Sequence, residues 1–103
     1  MRKPYRKRYI CFEIISDGKF NENLIESTMK EAIKELFGIV GLSDAHPKLL
    51  KEFTRQNKYV LQIDHKYVEK AKFSIATIKE INKKPVIFKT TKVFGTLKKI
   101  KQR

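Results

Sequence analysis

The chain has 103 residues, 41% of them hydrophobic, with a single cysteine and 24 Lys and Arg set against 11 Asp and Glu. That length allows one domain, which buries roughly two thirds of the surface its unfolded chain exposes, so a two-layer core forms without metals or disulfides. The composition argues against wholesale disorder, and the longest apolar run falls far short of the ~20 residues of a membrane span. The opening "MRKPYRKRY" has no apolar stretch behind its charges, so the protein is expected to be soluble and not secreted. Cys11, inside "YICFEII", reads as a small buried hydrophobe, and a reducing cytoplasm is the expected compartment.

"RYICFEIIS", residues 8–16, is rich in β-branched and aromatic side chains and stops at Asp17-Gly18, the pattern of a strand ending in a turn. From Asn21 or Asn23, either of which suits a cap, Leu24, Ile25, Met29, Ala32, Ile33, Leu36 and Phe37 recur at three-and-four spacing up to Gly38. This predicts an amphipathic helix. Pro47 then predicts a loop over 38–47 and a modest strand near 48–54. "RQN" makes a turn into the strand "KYVLQI", 58–63. Asp64 is placed to cap a second helix with Val68, Ala71, Ile75, Ile78 and Ile81 or Asn82 on one side. "KKPVIFKTTKV", 83–93, reads as the last strand, with Pro85 tolerated near its start.

The order β-α-β-β-α-β is the split βαβ pattern of ferredoxin-like and RNA-recognition-motif folds, an α+β sandwich with two helices on one face of an antiparallel sheet ordered 4-1-3-2. Residues 1–103 form a single domain, with 1–7 a basic arm and 94–103 a basic C-terminal segment. Charge follows the topology. Residues 1–12 hold Arg2, Lys3, Arg6, Lys7 and Arg8 with no acid, and residues 81–103 hold Lys83, Lys84, Lys89, Lys92, Lys98, Lys99, Lys101 and Arg103 with none. The middle carries eleven charges of each sign, so the two ends own the whole net +13. Strands one and four are neighbours in this fold, which brings both ends to the same edge.

A net charge this high destabilises a small domain through self-repulsion unless a polyanion relieves it, which points to nucleic acid. Engagement of about six phosphates gives a log-log salt slope of roughly −4 to −5. Tyr5, Tyr9 and Phe94 lie among the cations and suit stacking on unpaired bases, while Tyr9 and Phe94 equally suit a core. The third strand, "RQNKYVLQI", lacks the glycines and aromatic pair with which RNA-recognition motifs read bases. Base readout on the open sheet face is therefore not expected, and Tyr9, Cys11, Leu61 and Ile63 would make that face a protein-binding surface.

Catalytic constellations are thin. His46 precedes Pro47 and His65 follows Asp64, and neither has metal-ligand or acid-base spacing to a partner. No metal and no cofactor is expected on the protein. His65 and Lys66, at the start of the second helix, suit a phosphate contact there or are simply tolerated. Acylphosphatases share the fold, but their phosphate loop is glycine-rich and holds an arginine, whereas the corresponding loop here reads "SDGKFN".

A basic arm leading into "RYICFEI", a first helix ending "ELFGIVG", the strand "YVLQID" followed by "HKYVEKAKFSIATIKEI", and the close "VIFKTTKVFGTLKK" together resemble the component 2 family of archaeal ribonuclease P proteins, whose eukaryotic counterpart also serves RNase MRP. The resemblance spans essentially the whole chain, and its most specific parts are "LFG.VG" and "GTLKK". Members usually carry Ser-Gly-Thr where this chain has Phe94-Gly95-Thr96. The resemblance implies an accessory, non-catalytic role: RNase P removes the 5′ leader of precursor tRNA with an RNA catalyst that requires Mg²⁺. The implied partners are the RNase P RNA, precursor tRNA indirectly, a TIM-barrel-like component 3 in a two-plus-two assembly that includes self-association, and other RNase P proteins, with no membrane. The residues expected on RNA are Arg2, Lys3, Arg6, Lys7, Arg8, Lys89, Lys92, Thr96, Lys98, Lys99, Lys101 and Arg103. Two rival readings are a ribosomal or general RNA-binding protein and a small acylphosphatase-type enzyme.

Overall fold

The structure, a computed structural model, describes residues 6–96. Strand β1, Lys7–Ile15, lies at the centre of a four-stranded antiparallel sheet. On one side it pairs with β3, Lys58–Asp64, and on the other with β6, Ile87–Phe94. The short β2, Lys48–Leu49, extends the sheet beyond β3. The resulting order is the predicted 4-1-3-2, with β6 in the place of the fourth strand.

Helices α1, Glu22–Ala45, and α2, Val68–Ala76, cover one face. Alternation along β1 sends Ile10, Phe12 and Ile14 toward them, where they meet Ile25, Met29 and Ile33 of α1 and Ala71 and Ile75 of α2. Phe12, 1% exposed, is stacked between Tyr59 at 5.5 Å and Phe88 at 5.7 Å, so three strands share one aromatic row.

Two asparagines compete in the sequence for the cap of the first helix. Asn21 holds it, its Oδ1 accepting from the Leu24 amide at 2.7 Å. At the other end the expected loop over 38–47 is replaced by more helix. The helix breaks at Gly38, with φ 76° and ψ 177°, and resumes as far as Ala45. That backbone region is almost closed to side chains, so Gly38 turns the chain without ending the helix. Three residues on, a Cβ added at Gly41 would sit 2.7 Å from the Phe37 Cβ, so the second segment closes against the first only because Gly41 has no side chain. The "LFGIVG" motif is thus a helix kink. One cost is exposure: Leu36, expected on the buried stripe, is 44% exposed, and Ile39 and Val40 stand out beside it.

Three further boundaries move, one of them the start of the last strand, which is Ile87 rather than residue 83 because Lys84–Pro85 pairs instead with Glu80–Ile81. The strand expected near 48–54 shrinks to Lys48–Leu49 and continues as a 3₁₀ turn, Lys51–Phe53. The second helix ends at Ala76, and Ile81 belongs to a small hairpin, β4 Glu80–Ile81 against β5 Lys84–Pro85. Asn82 and Lys83 form its turn, both at positive φ (57° and 68°), the geometry of a two-residue hairpin loop. A helical period through Ile78 and Ile81 misses this turn, since both residues are buried in the core either way.

Replacing Gly38 with alanine is expected to cost about 1–3 kcal/mol of stability, because alanine cannot hold that backbone without strain. Urea denaturation measures it, and an unchanged midpoint would contradict a kink that depends on this residue.

Candidate nucleic-acid interface

The cations predicted at the chain ends divide by placement. Arg2, Lys3, Lys98, Lys99, Lys101 and Arg103, with Tyr5, lie outside the described residues. Of the remaining ones, Arg6, Lys7, Arg8, Lys92 and Thr96 lie toward the end of the sheet where β1 begins and β6 finishes, and Lys89 lies toward the other end, in the row of Glu13. Tyr9 faces Phe94 across the β1–β6 pairing, so the chain enters at Arg6 beside the point where it leaves at Gly95 and Thr96. Arg6 is exposed, and its carbonyl accepts from the His65 amide at 2.9 Å, extending the β1–β3 pairing by one step. Thr96 is exposed at the exit.

Strand alternation then separates neighbours. Lys7 lies on the sheet face away from the helices, opposite Asp64, whereas Arg8 lies on the other face, opposite Ile63. Arg8 is half-buried and its guanidinium donates to the Lys7 carbonyl at 3.0 Å. Lys89 and Lys92 are three residues apart, a spacing that in a regular strand would send them to opposite faces. A β-bulge prevents this: Cys11 faces Lys92 and Phe12 faces Thr90, leaving Thr91 as the extra residue. The Thr91 hydroxyl donates to the Cys11 carbonyl at 3.1 Å, which fixes the irregularity. Both lysines therefore stand exposed on the open face, with Lys92 Nζ 5.4 Å from the centre of the Phe94 ring.

The same registers add residues that reading along the chain misses. Lys48 shares a row with Gln62 and Tyr9, and Lys58 shares one with Glu13 and Lys89. Both lysines are exposed. The signal is present in the alternation of "KYVLQI", but only strand pairing shows that Lys48 and Lys58 join Lys7, Lys89 and Lys92. Among the described strand residues of that face the acids are Glu13, whose Oε2 accepts from the Asn57 side-chain Nδ2 at 3.1 Å, and Asp64.

The centre of this face differs from expectation. Leu61 and Ile63 point to the helices and belong to the main core. The open side instead gathers Tyr9, Cys11, Leu50 and Val60, with Phe53 of the 3₁₀ turn and Phe94 packed against them. Cys11 is 1% and Tyr9 7% exposed, so the small-hydrophobe reading of Cys11 holds and Tyr9 is core.

At the start of the second helical region, Asp64 Oδ1 accepts from the Lys66 amide at 2.9 Å and lies 3.4 Å from His65 Nδ1. The first turn, His65–Tyr67, is 3₁₀. A phosphate at this turn would meet a carboxylate already bonded there. His46 caps the second part of α1 in the left-handed region, φ 50°. No group of three or more metal-ligating side chains is gathered among the described residues.

At the opposite end of the sheet, a cleft of about 820 Å³ is lined by Asp17, Lys19, Phe20, Glu22, Lys51 and Tyr59, among others. Burial, then the Glu22 carboxylate, push the Tyr59 hydroxyl above its ordinary value. Arginine, histidine and cysteine do not line it, so this loop does not carry the arginine of an acylphosphatase-type phosphate site.

A ferredoxin-like α+β domain with a cation-rich open sheet defines the class. Its relatives make that specific. The model of the Rpp14/Pop5 family matches residues 8–103, and the chain belongs to that family. Similar curated proteins include "Ribonuclease P protein component 2" of Thermococcus kodakarensis, 32% identical over 95% of this chain and 82% of the relative, and of Pyrococcus horikoshii, 33% identical over the same shares. The protein of the same name from Methanocaldococcus jannaschii is 31% identical over 93% of this chain and 70% of its own length. A chain of the cryo-EM structure of yeast ribonuclease MRP has the same fold, with TM-score 0.71 at 14% identity, covering 94% of this chain and 79% of that one.

Gly95 marks the bend at the sheet exit, but a Cβ there would meet nothing within 4 Å and its backbone is not in the glycine-favouring region. Gly95→Ala is therefore expected to shift stability by no more than about 0.5 kcal/mol. A large loss in thermal denaturation would contradict that.

Proposed function

We propose that this chain is a non-catalytic protein subunit of ribonuclease P, binding the catalytic RNA and promoting Mg²⁺-dependent removal of the 5′ leader from precursor tRNA. Membership of the Rpp14/Pop5 family, with relatives that carry the name ribonuclease P protein component 2, is the observation that carries this reading. The physical chemistry agrees with it. Folding an RNA tightly around an active site crowds phosphates, and lysines placed against them offset that repulsion and lower the Mg²⁺ the RNA needs. Arg6, Lys7, Lys92 and Thr96, toward one end of the sheet, and Lys89, further along β6, are assigned to RNA backbone, together with Arg2, Lys3, Lys98, Lys99, Lys101 and Arg103 from the two ends of the chain. Arg8 sits on the other face at that end and is assigned a flanking contact. His65 and Lys66 are secondary, since the Asp64 carboxylate already accepts from the Lys66 amide and lies beside the His65 ring.

In this reading the protein holds no metal of its own, and the Mg²⁺ belongs to the RNA. Its partners are the RNase P RNA, component 3 and other RNase P proteins, precursor tRNA indirectly, and a second copy in a two-plus-two assembly in the cytoplasm. The exposed Leu36, Ile39 and Val40 at the α1 kink suit protein contact rather than RNA.

Reconstitution tests this directly. An archaeal RNase P RNA with component 3 is assayed for leader removal at limiting Mg²⁺, with and without this chain. The expected gain is about tenfold, equivalent to ~1.4 kcal/mol of barrier. No stimulation, with RNA binding intact, would leave a general RNA-binding protein instead.

A further inference from the structure

Charge in this molecule is sorted by layer as well as by chain end. Helices α1 and α2 carry Glu22, Glu26, Glu31, Glu35, Asp44 and Glu69 against Lys30, Lys34, Lys70 and Lys72, a net of −2 in a protein of net +13. The open sheet face carries Lys7, Lys48, Lys58, Lys89 and Lys92 from four strands, all exposed, against Glu13 and Asp64. Asp64 is turned to the amide of Lys66, and Glu13 is held by Asn57 between Lys58 and Lys89. The face thus takes its positive excess from the chain ends, through Lys7, Lys89 and Lys92, while Lys48 and Lys58 offset Glu13 and Asp64, and the helical layer behind it is mildly negative.

We infer that the whole open face of the sheet, out to Lys48 on the far edge strand, is a docking surface for RNA backbone, gripping it without reading its bases. This rests on the RNA-binding role proposed above and extends it from the strand ends across the sheet.

Two features set the mode of contact. The middle of the face is filled by the protein itself: Cys11 and Tyr9 are buried, Phe53 and Phe94 are packed against them, and the Phe94 ring already carries the Lys92 ammonium, so no aromatic side chain stands free of the core at the centre for a base to stack upon. Sequence-tolerant single-strand binding depends on free aromatic planes. The cations on the described strands of this face are lysines, with one exposed arginine, Arg55, bridged opposite Lys58 at its margin; a lysine ammonium is a point charge suited to phosphate, whereas paired recognition of guanine edges favours the arginine fork. Lys92 and Lys48 are separated by three interstrand steps, about 14 Å. That span allows several phosphates to be met at once. The Thr91 bulge is what makes the row continuous, since without it Lys89 or Lys92 would face the helices.

The full chain is titrated with an archaeal RNase P RNA at several salt concentrations, as wild type, as Lys48→Gln/Lys58→Gln and as Lys30→Gln/Lys34→Gln on α1. All four lysines can be changed without touching the core, and unchanged melting temperatures confirm folding. The sheet pair is expected to lower the salt slope by about 2, one for each phosphate that a lysine no longer neutralises. The same decrease is expected on an unrelated duplex RNA, and the helix pair is expected to change neither slope. A wild type that fails to bind RNA would overturn the proposed function itself. RNA binding that is unaffected by the sheet pair, or equally weakened by the helix pair, would overturn this inference alone and leave the open face to a protein partner.

Discussion

Strand β1 lies between β3 and β6 and is bonded along both edges. That arrangement decides nearly everything else. Because β1 is central, its residues are buried on both faces: Ile10, Phe12 and Ile14 against the helices, Tyr9 and Cys11 beneath Phe53 and Phe94. Because its partner β6 is the last strand, the beginning and the end of the described chain come together at Tyr9 and Phe94. A domain of this size is stable by only about 5–15 kcal/mol, so concentrating cations where its ends meet is a real cost in repulsion. A polyanion at the same place removes that cost.

The helical layer and the sheet divide the remaining work. The α1 kink at Gly38, closed against Phe37 through Gly41, leaves Leu36, Ile39 and Val40 in solvent on the helical side. The opposite face presents lysines around a sealed apolar centre. Positive charge therefore gathers on the open face, and exposed apolar side chains gather at the α1 kink on the helical side, with a second exposed pair, Ile15 and Ile87, at the far end of the open face.

The fold is legible in the sequence because its strongest signals are local. β-branched runs at 8–16 and 58–63 and the three-and-four spacing of Ile25, Met29 and Ile33 survive folding unchanged. The motif resemblance also holds, and the structure gives "LFGIVG" a cause in the kink. What escapes a linear reading is non-local or conformational. Gly38 looks like a helix end because glycine usually is one, and nothing in the sequence says that helix resumes beyond it. Ile78 and Ile81 are apolar at helical spacing, but the turn at Asn82 and Lys83 takes Ile81 into a hairpin. Leu61 and Ile63 are expected on the open face and lie on the other, because alternation fixes relative sides but not which side meets the helices. For the candidate interface, counting charge along the chain finds the ends and passes over Lys48 and Lys58. Acids near them in sequence, Asp44 and Glu52, cancel them in a linear count but lie off the strands, in the first helix and the 3₁₀ turn.

On the reading proposed above, RNA is held on the sheet side, with the helices turned away. Lysine acetylation footprinting of the full chain, free and bound to an archaeal RNase P RNA, tests it residue by residue. Protection of Lys7, Lys48, Lys58, Lys89 and Lys92, with Lys30, Lys34, Lys70 and Lys72 still reactive, is the predicted result. Protection of the helical lysines with the sheet lysines left reactive would contradict it.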